Sequence, residues 1–174
     1  MQTKVLFFFN LFFSLTVSAQ ENTKVSLFEN KVELTIPKLF PEMSKEDIQK
    51  RFNRGTPPDF VFAEKKGSPS ISITLRSNRI TQETVAQYVD LVEKSITGPL
   101  PEAKTIRKGT RTINKRKVGY VILITPSLNG EIYNYMFFTD FDNKLLICNF
   151  NCMNRSVAEW GDIAESIASS LTVN

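Results

Sequence analysis

The chain of 174 residues contains no histidine. That absence removes the commonest general base, the commonest metal ligand and the Ser-His or Cys-His route to an activated nucleophile. Cysteine is almost as scarce. Cys148 and Cys152 are the only two, and a C-x-x-x-C pair without histidine makes a poor zinc site. The seven glycines form no phosphate loop, no dinucleotide fingerprint and no nucleophile elbow. There is no internal repeat, no low-complexity tract and no linker rich in Pro, Gly or Ser. Charge of one sign is lacking too. Lys4 is the only charge in the first nineteen residues, which leaves 21 of the 22 basic side chains against all 18 acidic ones. So mild an excess does not by itself point to nucleic acid or to a membrane.

What is present begins with the amino terminus. Lys4, the apolar run from Val5 to Val17 and the small residues Ser18 and Ala19 have the layout of an export signal. The run is too short to span a bilayer comfortably. No cysteine follows it, so neither a lipid anchor nor a transmembrane anchor is expected. The expectation is a signal peptide over 1–19, a mature chain from Gln20 and a secreted or periplasmic protein. The remaining 155 of the 174 residues suit a single domain, 20–174, large enough to bury a core without staples.

Alternation of apolar residues around Glu29-Asn30 predicts an opening hairpin, stopped by Pro37 and Pro41. Ser44 is placed to cap a short helix through Phe52. Residues 60–63 and 70–75 read as strands around a turn at 66–69. Thr81 can cap a helix whose stripe is Val85, Tyr88, Val89, Val92 and Ile96, closed by Gly98-Pro99. Strands follow at 105–113, 117–125, 132–139 and 145–150. Asn129-Gly130 is the strongest hairpin signal, because both residues tolerate the positive φ of a type I′ turn. Ser156 and Glu159 fit a capping box ahead of Trp160, Ile163, Ala164, Ile167 and Leu171. Strands apolar on both sides, such as 121–124 and 136–138, need cover on both faces. The predicted class is therefore α+β: an α/β/α sandwich with a single, mostly antiparallel sheet covered by helices on both faces.

This order of elements resembles the Mog/PsbP-like superfamily, and within it the small secreted bacterial proteins related to DcrB. The resemblance is carried by Val32-Glu33-Leu34-Thr35-Ile36-Pro37, by the run from Ile113 to Tyr120, by Tyr133 to Phe138 and by the closing Ile163 to Val173. It covers essentially the whole mature chain, and its motifs are architectural. It implies a protein that binds other proteins, since no catalytic set is shared across that superfamily. DcrB relatives commonly carry a lipid anchor, for which this chain lacks the cysteine.

Several constellations carry candidate chemistry. Arg107, Lys108, Arg111, Lys115, Arg116 and Lys117 form the densest basic cluster, which could attract an anionic partner or polymer. Its plainer account is a solvated hairpin whose charges discourage edge pairing. Aromatics that could stack on bases are not interleaved with it, so nucleic acid is not expected. Cys148 and Cys152 could form a disulfide only if their strand ended near Asn149 or Phe150 and turned back; otherwise they are buried free thiols. Asp140 and Asp142 have a spacing that could hold calcium, but a hairpin turn explains them better. Asn154-Arg155-Ser156 spells a glycosylation sequon, more simply the run-in to a helix cap. Tyr120, Tyr133, Tyr135 and Trp160 could line a pocket or belong to the core. Glu33 with Glu64, or Ser with Lys, would be needed for a hydrolase. No metal or cofactor is expected. The leading expectation is a secreted, non-catalytic binding or accessory module of the bacterial cell envelope, holding a protein partner on a sheet face or in a sheet–helix groove. The alternatives are a hydrolase using carboxylate or Ser/Lys chemistry, and binding of an anionic polymer through the basic hairpin.

Overall fold

Each hairpin signal in the chain produces a hairpin, though not always at the expected residue. The computed structural model describes residues 21–53 and 55–174; the expected signal peptide and its cleavage site lie outside them. Strands β1 (Asn22–Leu27) and β2 (Val32–Pro37) pair antiparallel, with Phe28, Glu29 and Asn30 all at positive φ between them. Helix α1 (Lys45–Arg51) starts where Ser44 accepts a hydrogen bond from the Asp47 amide at 3.1 Å, the cap its sequence promised. Then come β3 (Phe60–Ala63), β4 (Ser70–Arg79), α2 (Val85–Thr97), β5 (Lys104–Ile113), β6 (Arg116–Ser127), β7 (Gly130–Phe141), β8 (Lys144–Met153), α3 (Val157–Ser169) and β9 (Thr172–Val173).

Six strands form one antiparallel sheet in the order β3-β4-β8-β7-β6-β5. The sequence pattern predicts a single sheet. The opening hairpin instead makes a separate three-stranded sheet, β1-β2-β9, in which Val32 and Glu33 pair with Val173 and Thr172. The physical reason lies in β2, which buries Val32, Leu34 and Ile36 completely. That alternation gives it an apolar face to lay on the large sheet, so it covers the sheet and does not extend it.

Two cores result, one on each face of the large sheet. On the first face, β2 and the α3 stripe of Trp160, Ala164, Ile167 and Ala168 pack on Ile71, Ile73, Tyr135, Phe137, Cys148 and Phe150. On the second, Val85, Val89 and Val92 of α2 pack on Val121, Leu123, Met136 and Phe138. The Phe138 ring lies over Gly119, its partner in register, where a methyl group would collide with it.

Local details depart from expectation at three points. The β6–β7 turn residues are Leu128 and Asn129, with Ser127 opposite Gly130, and of the Asn129-Gly130 pair only the glycine has positive φ. The left-handed pairs sit instead at Asn114-Lys115 and Asp142-Asn143. Helix α2 begins after Thr84, because Thr81 and Thr84 bond each other in a preceding turn. Ser156 makes no side-chain cap; a 3-10 turn over Asn154–Ser156 leads into α3 and occupies the first amides.

Candidate docking surface

Strand alternation divides the basic cluster between two faces. Arg107 and Arg111 lie on the α3 side, where both reach Glu165: the Arg107 Nη2 at 3.9 Å and the Arg111 Nη1 in close contact. Their guanidiniums rest on aromatic rings, Arg107 at 5.6 Å from the Tyr120 centroid and Arg111 at 5.8 Å from that of Tyr135. Lys108 points to the opposite side and meets Asp90 at 2.8 Å and Glu93 at 2.5 Å on α2. Those hydrogen bonds raise the Lys108 pKa and lower those of Asp90 and Glu93. Arg116 bonds the Asp140 carboxylate at 2.7 Å, and Gln82 donates to the same oxygen at 2.5 Å while accepting from the Lys117 amide. Lys115 and Lys117 alone of the six have no carboxylate within 4 Å among the described residues. Two lysines in and beside a turn are a thin basis for holding a polyanion.

The cysteines do not bond. Strand β8 runs unbroken to Met153, so Cys148 and Cys152 share one face about 13 Å apart, roughly twice the reach of a disulfide. Both are buried free thiols. Desolvation pushes the Cys148 pKa far up and that of Cys152 up to about 11, which leaves neither as a reactive thiolate at neutral pH.

The other candidates also resolve into packing. Tyr135 is core, Tyr120 and Tyr133 are half-buried beside it, and Trp160 stacks on Phe40 at 5.6 Å. Asp140 belongs to the Arg116 network, and Asp142 sits in a turn 3.9 Å from Lys31. Asn154 donates to Glu131 at 2.9 Å within the 3-10 turn. Glu33 pairs with Lys24 at 2.7 Å, whereas Glu64 lines a wide groove of about 1080 Å³ beside Lys66, Arg155, Glu159 and Trp160. Among the described residues no three Cys, Asp or Glu side chains converge as a metal site would need.

The surface that sequence reasoning missed is on the second face of the large sheet. Helix α2 covers β5, β6 and part of β7, and α1 with Met43 and Phe52 covers only Val61 and Ala63 of β3. Between the two helices, β4 and residues 147–151 of β8 have no helix packed along them, although Leu145 joins the α2 core and Ser70 and Thr74 are buried. Their side chains there are Ser70, Ser72, Thr74 and Arg76 on β4, facing Asn151, Asn149, Ile147 and Leu145 on β8, with Asn134 and Met136 of β7 alongside. Ser72, Ile147, Asn149 and Asn151 are all part-exposed. The amides form a ladder: Asn149 donates to Asn134 at 3.4 Å, Asn134 to Thr125 at 3.0 Å, and the Ser70 hydroxyl to Asn151 at 3.0 Å. The Asn149 Oδ1 is buried and accepts no hydrogen bond, a state that costs free energy unless a donor arrives. At the α2 margin a cavity of about 350 Å³ opens between Tyr88, Leu91 and Ser95 of the helix and Arg76, Leu145 and Ile147 of the sheet, with Leu91 57% exposed. The signal was present in the sequence, as polar residues at period two in strands whose other face is wholly apolar.

No family model matches the chain, and no curated protein matches it in sequence. Its backbone is nevertheless similar to solved structures. Cyanobacterial PsbP from Synechocystis superposes with a TM-score of 0.64 at 13% identity, over 91% of this chain and 96% of that one. PA94, a protein of unknown function from Pseudomonas aeruginosa, gives 0.54 at 12% identity over 88% and 97%. LpqN of Mycobacterium tuberculosis, described as involved in cell envelope biogenesis, gives 0.54 at 12% identity over 88% and 91%. With the six-stranded antiparallel sheet, the smaller sheet and three helices in place, the chain has the PsbP-like fold.

Proposed function

We propose that this protein is a non-catalytic accessory module of the bacterial cell envelope that binds a protein partner over the open strip between α1 and α2. The observation that carries the reading is the uncovered floor of β4 and β8. It is a part-apolar, part-amide surface with an exposed leucine at its margin and an acceptor left without a donor. Sheet surfaces of this kind on a folded domain are sites of contact. The export-type amino terminus and the envelope role printed for LpqN support the compartment. The side chains with displaced pKa values owe the displacement to hydrogen bonds or ion pairs, as Lys108, Asp90, Glu93 and Glu83 do, or to burial, as Arg51, Tyr133, Tyr135, Cys148 and Cys152 do, which supports binding over chemistry.

Site-specific photocrosslinking tests this. A crosslinking residue is placed at Leu91 or Asn149 on the strip, and at the exposed Asp162 on α3 as control. The expected outcome is a discrete protein adduct in envelope extracts from the two strip positions only. Adducts of equal yield from Asp162, or none from the strip, would overturn the assignment.

A further inference from the structure

The two ends of the open strip are marked by arginines that form no salt bridge among the described residues. Arg51, at the end of α1, lies over Ser70, donating to its hydroxyl at 3.3 Å, and contacts the Met43 sulfur at 3.7 Å and the Phe52 ring at 5.5 Å. Arg76, on β4, has only the Thr56 carbonyl at 3.5 Å. Neither has a carboxylate within 4 Å among the described residues. Asp59, just before β3, is already occupied by the Leu75 amide at 2.7 Å. From Ser70 to Arg76 is six strand residues, a span of about 20 Å, and the floor between carries no acid: Ser72, Thr74, Ile147, Asn149 and Asn151.

We infer that the strip takes an extended, acidic segment of a partner protein, about six residues long, with a carboxylate at each end for Arg51 and Arg76. This rests on the strip being the docking surface proposed above and adds the chemistry of what docks. A guanidinium presents a planar fork that a carboxylate matches with two parallel bonds. The amide ladder supplies both donors and acceptors, as the backbone of an extended segment requires. The cavity beside Leu91 and Ile147 has room for one apolar side chain. The floor between the two arginines carries no carboxylate, although Asp59 lies beside Leu75 and Glu42, Asp47 and Glu64 line the hollow around Arg51, so the acidic groups of the segment are called for at its two ends.

Two synthetic peptides of eight residues test it, identical in an apolar and hydroxyl-bearing middle, one ending in glutamates and the other in lysines. Binding is followed by amide chemical shifts of the isotopically labelled protein. The glutamate peptide should move the signals of residues 70–76 and 147–151, and the lysine peptide should not. Arg51→Gln and Arg76→Gln should each weaken the glutamate peptide about tenfold, with thermal melts confirming that each variant is folded. Equal binding of both peptides, unchanged affinity in the variants, or shifts mapping elsewhere would overturn the inference. If crosslinks from the strip instead land on a partner segment without acids, this inference fails while the docking surface stands. An absence of strip crosslinks removes the surface itself.

Discussion

The β5–β6 hairpin and the β4–β8 strip hold arginines in opposite circumstances. In the hairpin, six basic residues lie within eleven positions, yet Arg107, Lys108, Arg111 and Arg116 each meet a carboxylate of the same molecule. In the strip, Arg51 and Arg76 are 25 residues apart in sequence, and neither meets one. Density of like charge along a chain therefore says little about free charge on the fold, because strand alternation sends neighbours to opposite faces and helices bring acids to them. The isolated arginines are the ones that the proposed acidic segment would meet.

The comparison breaks first at Asp140. Removing its carboxylate with Asp140→Ala leaves the part-buried Arg116 guanidinium and the Gln82 amide without their shared acceptor, and should cost about 2–3 kcal/mol in denaturant unfolding. Arg76→Gln, by contrast, should change stability by less than about 0.5 kcal/mol; comparable losses would mean that the strip arginine is structural after all. Glu165→Gln is the intermediate case. Its pairs are half-exposed, so stability should fall by no more than about 1 kcal/mol. Releasing Arg107 and Arg111 should nonetheless lengthen retention on a cation exchanger, and unchanged retention would show that the two were never neutralised.

The smallest expected effect is a matter of pH. Asp90 and Glu93 are held below their ordinary pKa values by the hydrogen bonds to Lys108. A depressed carboxylate stabilises the fold above its unfolded value, about 4, and that contribution is lost as pH falls through the lower folded value. Melting temperatures of the wild type and Lys108→Met should differ near neutrality and converge as the pH falls below the ordinary carboxylate range, about 4. An offset that persists into acid would place the lost stability in packing, not in the clasp.

Much of the architecture could be read from the chain because periodicity is a local property. Val85, Val89 and Val92 belong to one helical stripe whatever they pack on, and Ser44 caps its helix through a bond three residues away. Where the reading slipped, a non-local or competing interaction had decided the matter. The bulge between Thr105 and Arg107 shifts the register of Lys104 and Thr105 against the rest of β5, and no residue there announces it. The Ser156 cap gave way to a 3-10 turn anchored by Asn154 on Glu131 of a different strand. The proposed docking strip was half legible: Ser70, Ser72 and Thr74 alternate with Ile71, Ile73 and Leu75, but nothing in that pattern says which polar face a helix will leave open.

Composition and pattern were enough to remove histidine chemistry, to suggest an export signal and to arrange strands and helices in their order, since each depends on residues present or on neighbours a few positions away. The fate of the charges was decided only in three dimensions. Arg111 finds Glu165 across 54 residues and Arg116 finds Asp140 across 24, distances over which a one-dimensional pattern carries no pairing information. The same holds for the separate small sheet, closed by β9 at the far end of the chain, and for the bare floor between α1 and α2. Both follow from how much apolar surface each element brought and what was left to cover.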